Sequence, residues 1–189
     1  MKHRIVIADD EPITRMDIYE ILTEAGYEVV GQATDGFQTV ELCRALTPDL
    51  AIVDIKMPNL DGLKASKLIL NENLVDSVIL LTAYSGPDFI EQAKEAGVIG
   101  YIVKPVSENT LIPEIEIAIS RGKELRKIKN EMNKAQMEIA KRKVIDKAKK
   151  ILMKKFRITE DEAYKKLRND SMNQRITLYD LALSIIENC

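Results

Sequence analysis

Short apolar runs that alternate with helical-period segments constrain this chain more than any other feature. Residues 4–8, 27–31, 50–53, 78–81 and 100–103 are of strand length and rich in Val, Ile and Leu. Between them, apolar side chains recur at roughly helical spacing. The first helix starts near Pro12, with apolar Ile13, Met16, Ile18, Ile21 and Leu22 recurring roughly at helical spacing, and stops at Gly26. Asp35 caps the second, whose apolar face carries Val40, Leu42, Cys43 and Leu46 up to Pro48. The third covers 60–70 with Leu63, Leu68 and Ile69 inward, and the fourth covers 87–96 before Gly97. Ser107 caps a fifth. Runs that are almost wholly apolar are buried on both faces, as in a parallel sheet covered by helices. The pattern predicts an α/β fold, a doubly wound five-stranded parallel sheet over residues 1–120.

Right-handed crossovers bring the carboxyl ends of all these strands to one edge, where open α/β sheets bind ligands. Asp9 and Asp10 follow the first run, Asp54 the third, Thr82 the fourth and Lys104 the fifth. Any one of these acids alone reads as an ordinary turn residue. Their convergence is more informative. Three carboxylates in one cleft repel one another unless a cation offsets them. Oxygen-only donors suit Mg²⁺, which accepts one or two carboxylates together with a phosphate. A lysine opposite pairs with phosphate oxygens, and a threonine hydroxyl donates to another. Aspartate is itself a nucleophile in phosphoryl transfer. The edge therefore reads as a site for moving a phosphoryl group onto an aspartate.

Composition excludes other chemistries. His3 is the only histidine, which rules out His-based metal sites and Ser-His or Cys-His catalysis. No stretch approaches a membrane span, and the apolar run after the basic N-terminus is too short for a signal peptide. Cys43 and Cys189 stand far apart without metal-ligand neighbours, so both are expected as free thiols in a reducing cytoplasm. Charge is divided unevenly. Residues 1–120 carry 9 Lys and Arg against 20 Asp and Glu, whereas 121–189 carry 19 against 10. The basic part is the candidate for a polyanion partner, with a solvated lysine-rich helix as the plainer reading.

From Ser107 the helical pattern runs on. Leu111, Ile115, Ala118 and Ile119 point inward, and Pro113 falls within the tolerant first turns. Beyond Gly122, Leu125, Ile128, Met132, Ala135 and Ile139 alternate spacings of three and four, an a/d seam. With Leu125 at a, a parallel homodimer pairs Glu124 with Lys129 and Glu138 with Lys143. A monomeric linker helix is the alternative for so short a repeat. Val144, Ile145, Ala148, Ile151, Leu152 and Phe156 continue an apolar face, opposite a lysine-rich one. Thr159 and Glu162 have capping-box spacing before a helix carrying Ala163, Tyr164 and Leu167. Asn169, Asp170, Ser171, Asn173 and Gln174 are expected to loosen the chain, and Thr177 caps a last helix through Ile186. The expected organisation is an α/β domain over 1–120, a coiled-coil linker helix over 121–140 and a three-helix domain over 138–189.

These residues carry a family resemblance. Asp9-Asp10, Asp54 with Met57-Pro58 and Asp61-Gly62 behind it, Thr82-Ala83 and Lys104-Pro105 closely resemble the receiver domain of two-component response regulators. That resemblance implies a flavodoxin-like fold with Asp54 as phospho-acceptor. Asp10 would bind Mg²⁺ directly and Asp9 through water, with Asp54 and the Lys56 backbone carbonyl as further ligands. Thr82 and Lys104 would hold phosphoryl oxygens, Tyr101 would be the aromatic switch, and Lys104-Pro105 would be cis. An ordinary half-buried strand aromatic is the other reading of Tyr101.

Residues 130–187 resemble the ANTAR domain, an RNA-binding antiterminator module. The matching residues are Ala148-Lys149, Leu152-Met153, 159–164, Leu167-Arg168 and Leu181-Ala182; Lys150 departs from a common glycine. The whole chain is most similar to the ethanolamine-utilisation regulators of that family. The resemblance implies phosphorylation by a sensor histidine kinase, dimerisation, and binding of tandem hairpins in an mRNA leader to prevent termination. Lys149, Arg168, Asn173 and Arg175 are the expected RNA contacts. Tyr164 could stack on a base, although its apolar-face position favours the core. A DNA-binding transcription factor and a protein-binding output remain alternatives. The DNA reading is weakened because no tight turn presents a recognition helix. Only self-phosphorylation and self-dephosphorylation are expected as chemistry, so the chain reads as a signalling protein rather than an enzyme.

Overall fold

The computed structural model describes residues 2–83 and 87–188; Cys189 lies outside them. Five strands, β1 (Arg4–Ala8), β2 (Glu28–Ala33), β3 (Leu50–Asp54), β4 (Ser77–Thr82) and β5 (Gly100–Val103), form one parallel sheet in the order β2-β1-β3-β4-β5. Helices α1 (Pro12–Glu24), α2 (Gly36–Leu46), α3 (Gly62–Asn71) and α4 (Pro87–Ala96) make the crossovers, and α5 (Glu108–Phe156) follows β5. The predicted doubly wound sheet is present.

Alternation along each strand divides the core in two. Ile5, Ile7, Leu50, Ile52, Ile79 and Leu81 pack with Ile18 and Leu22 of α1 and with Leu111 and Ile115 of α5. Val6, Ala8, Ala51, Val53, Val78 and Leu80 face the other way, with Val40 and Cys43 of α2 and Ala65 and Ile69 of α3. Burial on both faces leaves the carboxyl edge as the place where polar side chains meet water.

The structure differs from expectation in several places. β2 does not end at Gly31 but continues to Ala33, pairing with β1 beyond a register shift that lies between Ile5 and Val6 and just before Gly31. Glycine is suited to such an irregularity, and a Cβ there would meet Leu46 Cδ1 at 3.0 Å. Leu68 is exposed rather than inward, and Ile13 and Met16 of the apolar series on α1 are exposed too, since each helix lays only a narrow stripe on the sheet.

The chain divides into two compact units, Met1–Lys127 and Ile128–Cys189. In the first, Gly122 lets α5 pass close to the segment before β4, where a Cβ would lie 2.8 Å from the Asp76 carbonyl oxygen. Arg126 donates to Asp76 at 2.7 Å beside it. In the second, the end of α5 packs with α6 (Glu160–Gln174) and α7 (Leu178–Glu187). Ala148, Leu152, Ala163, Leu167, Leu181 and Ala182 form its core. Thr159 and Glu162 make the expected capping box, and Thr177 caps α7 by accepting from Asp180 N–H. Asn169, Asp170 and Ser171 do not loosen the chain; α6 runs through them to Gln174. Ser171 is buried, and its hydroxyl donates to the Arg168 carbonyl at 2.8 Å, so the helix itself satisfies it. Phe156 and Tyr164 leave the core they were expected to join. Helix geometry places Tyr164 about 100° round from buried Ala163.

Candidate functional site at the sheet edge

Register builds the site. β3 lies between β1 and β4, so Asp54 emerges between the ends of those strands. β4 pairs with β5, and Lys104 N–H donates to the Thr82 carbonyl at 2.8 Å. That bond sets the threonine and the lysine on adjacent strand ends. Asp10, Glu11, Asp54, Ile55, Lys56, Thr82, Ala83 and Lys104 line a cavity of about 250 Å³.

Lys104 organises the charges. Its Nζ lies 2.7 Å from Asp9 Oδ2 and 3.1 Å from Asp54 Oδ1. Asp9 and Asp54 are buried, whereas Asp10 is exposed. One oxygen from each of the three lies within 4.8 Å of the others. This clustering of hard oxygen donors fits a divalent cation, which would offset like charges that one lysine cannot balance. Burial pushes the Asp54 carboxyl above the ordinary carboxylate range; Lys104 opposes this, and the charges of Asp9 and Asp10 reinforce it. Burial by itself would lower the Lys104 ammonium, but its bonds to Asp9 and Asp54 outweigh that and raise it.

The expected edge residues Asp9, Asp10, Asp54, Thr82 and Lys104 therefore meet, with Lys56 at the rim. The Lys104-Pro105 peptide is cis. Tyr101 stands on β5, paired with Leu80 and partly exposed. Two supporting groups carry no mark in the sequence. Arg15 donates to the Asp9 carbonyl at 2.7 Å, and Glu11 N–H donates to Asp9 Oδ1 at 3.0 Å. An arginine one turn into a polar helix has no sequence pattern that marks it. Gly62 enters the sequence pattern only as part of the Asp61-Gly62 motif, yet a Cβ on it would lie 1.9 Å from the Asp54 carbonyl oxygen.

In the second unit, Arg168, Asn173 and Arg175 are exposed. Lys149 is only 15% exposed, held at 2.7 Å by both Asp146 and Glu160. On α5, Leu125, Ile128, Met132 and Ile139 are 47–57% exposed, and Ala135 is exposed too. Among the described residues no helix is long and apolar enough to cross a membrane.

Comparison with known proteins agrees with this geometry. Residues 5–116 match the response regulator receiver domain, and residues 133–186 match the ANTAR domain. The transcriptional regulatory protein PdtaR of Mycobacterium tuberculosis is 40% identical over 184 residues, which span 97% of this chain and 89% of that protein. The chemotaxis protein CheY of Thermotoga maritima is 36% identical over 59% of this chain and 93% of its own length. The solved receiver domain of NarL from Mycobacterium tuberculosis superposes with a TM-score of 0.60 at 29% identity, covering 63% of this chain and 97% of that one.

Proposed function

This chain belongs to the two-component response regulators, with a receiver domain followed by an ANTAR domain, and from that membership we propose that a sensor histidine kinase phosphorylates Asp54 and that the output is antitermination on RNA. The observation that carries the input half is the Lys104 ammonium held between Asp9 and Asp54 in the lining of a cavity of about 250 Å³, which has room for a phosphoryl group.

The transfer is a displacement at phosphorus. The bond from a phosphohistidine nitrogen to phosphorus breaks, one from an Asp54 carboxylate oxygen forms, and the imidazole leaves with the electron pair. Lys104 turns from the carboxylates to a phosphoryl oxygen, and the Thr82 hydroxyl donates to another. Asp9, Asp10, Asp54 and the Lys56 carbonyl would hold a Mg²⁺ ion, which supplies positive charge against the three carboxylates and the phosphoryl oxygens. The movement of Thr82 toward the phosphate would let Tyr101 turn inward, changing the surface at β5.

Residues 121–140 then act as a coiled-coil linker between the receiver and an RNA-binding domain over 138–189. Leu125, Ile128, Met132, Ala135 and Ile139 form its seam in a homodimer, supported by their exposure in the single chain and the Glu124–Lys129 and Glu138–Lys143 complementarity. Lys149, Arg168, Asn173 and Arg175 serve two hairpins in a nascent leader, and the excess of basic residues in 121–189 supports a polyanion there. The reading places the chain in the cytoplasm, apart from the membrane.

A gel shift comparing tandem RNA hairpins with duplex DNA, with and without a beryllofluoride mimic at Asp54, tests the proposal. Preference for hairpin RNA that strengthens with the mimic is expected. Preference for DNA, or no nucleic-acid binding, refutes the output. Asp54→Asn should lose hydroxylamine-sensitive labelling by a phosphodonor, and retained labelling refutes the input. Transcripts that co-purify decide whether ethanolamine-utilisation genes are targets.

A further inference from the structure

Phe156 stands where a core residue is expected, four positions after buried Leu152. The residue is nevertheless 48% exposed and lies outside the core of the second unit. The core closes without it. Arg157 adopts left-handed backbone with φ 56°, and Ile158 packs inward in its place. A large apolar ring left in water forfeits the burial that such side chains normally gain.

The ring's surroundings are positive. Lys166 Nζ lies 5.1 Å from the ring centroid and Lys155 Nζ 5.9 Å. Lys154 and Arg157 are exposed on either side in sequence. The nearby acids are largely engaged. Asp170 pairs with Lys166 at 3.5 Å, Glu160 with Lys149, and Glu162 with the Thr159 backbone. Asp161 is the remaining acid in the first turn of α6. Both ammonium groups lie over the ring, so an aromatic base that stacks on it displaces a lysine from the face, and the displaced lysine pairs with a neighbouring phosphate.

We propose that Phe156 is a stacking platform for an unpaired RNA base, with Lys155 and Lys166 as its phosphate clamps. This rests on the RNA-binding reading above and places the base contact at the corner between α5 and α6.

The test uses the full chain with beryllofluoride. The probe is an RNA enriched on the wild type from a pool of paired stem–loops with randomised loops, then labelled with 2-aminopurine in a loop. Phe156→Leu should weaken binding by about tenfold or more and abolish quenching of the loop fluorophore, whereas Phe156→Trp keeps both. Lys155→Ala and Lys166→Ala should each reduce the salt slope of binding by about 0.7–0.9. Because Phe156 lies outside the core, its variants should keep the wild-type circular dichroism. Unchanged affinity and quenching in Phe156→Leu overturn the platform while leaving RNA binding intact. Failure of the wild type to enrich any RNA overturns both proposals.

Discussion

Gly62 stands so close to Asp54 that a Cβ on it would lie 1.9 Å from the Asp54 carbonyl oxygen and 2.8 Å from the carbonyl carbon. Gly62 N–H also donates to the Ile55 carbonyl at 2.9 Å. The start of α3 is thereby pressed against the end of β3, which leaves the Asp54 backbone no room to shift. The glycine is required by proximity rather than by backbone angle.

Gly62→Ala should therefore displace the end of β3. The clash is with backbone, which cannot rotate away, so a loss of about 3 kcal/mol is expected, at the upper end for overpacking. Denaturant unfolding of the purified chain measures it. Phosphodonor labelling of Asp54 should fall in the same variant.

The site should make stability depend on pH in a definite direction. Folded Asp54 keeps its proton at pH values where the unfolded chain has released it, because its carboxyl is raised. Stability contributed by this group declines as pH rises from the ordinary value of about 3.9 through the raised one. Lys104, raised by Asp9 and Asp54, contributes stability that is present below about 10.4 and lost as pH rises through its own value. In chelator-treated protein, Asp54→Asn should flatten the decline between acid and neutral pH, followed by urea midpoints. Mg²⁺ at neutral pH should raise the midpoint more in the wild type than in Asp54→Asn.

Phosphorylation should drive association through the seam. Beryllofluoride is expected to shift the sedimentation mass toward twofold. Leu125→Glu with Met132→Glu should abolish that shift without lowering receiver stability, since both side chains are exposed in the single chain. A double variant that still dimerises would locate the interface elsewhere.

The capping box at α6 offers a local measurement. Thr159 Oγ1 accepts from Glu162 N–H at 3.4 Å, while Glu162 Oε2 accepts from Thr159 N–H at 2.9 Å. Thr159→Ala should cost about 1 kcal/mol, read as faster amide exchange in the first turn of α6. The Thr159 backbone N–H holds the Glu162 carboxyl below the usual range. Its stabilisation is therefore complete above the ordinary glutamate value and disappears as pH falls through the lowered one.

Sequence alone determined the five parallel strands, the residues at their carboxyl ends and the caps at Thr159 and Thr177. These features are local, or follow from a handedness that every right-handed crossover shares. It could not determine which apolar side chains reach the core. Ile13, Met16, Leu68, Tyr164 and Phe156 all fit a helical stripe, but only part of each stripe finds a neighbour once the elements pack. Tertiary structure alone decided that Lys104 bridges Asp9 and Asp54, that Arg15 steadies Asp9 and that Gly62 abuts Asp54. Each of these depends on how strand ends and helix starts meet in space rather than on a local sequence pattern. Periodicity reports which face a residue occupies, whereas distance and burial arise only when the faces meet.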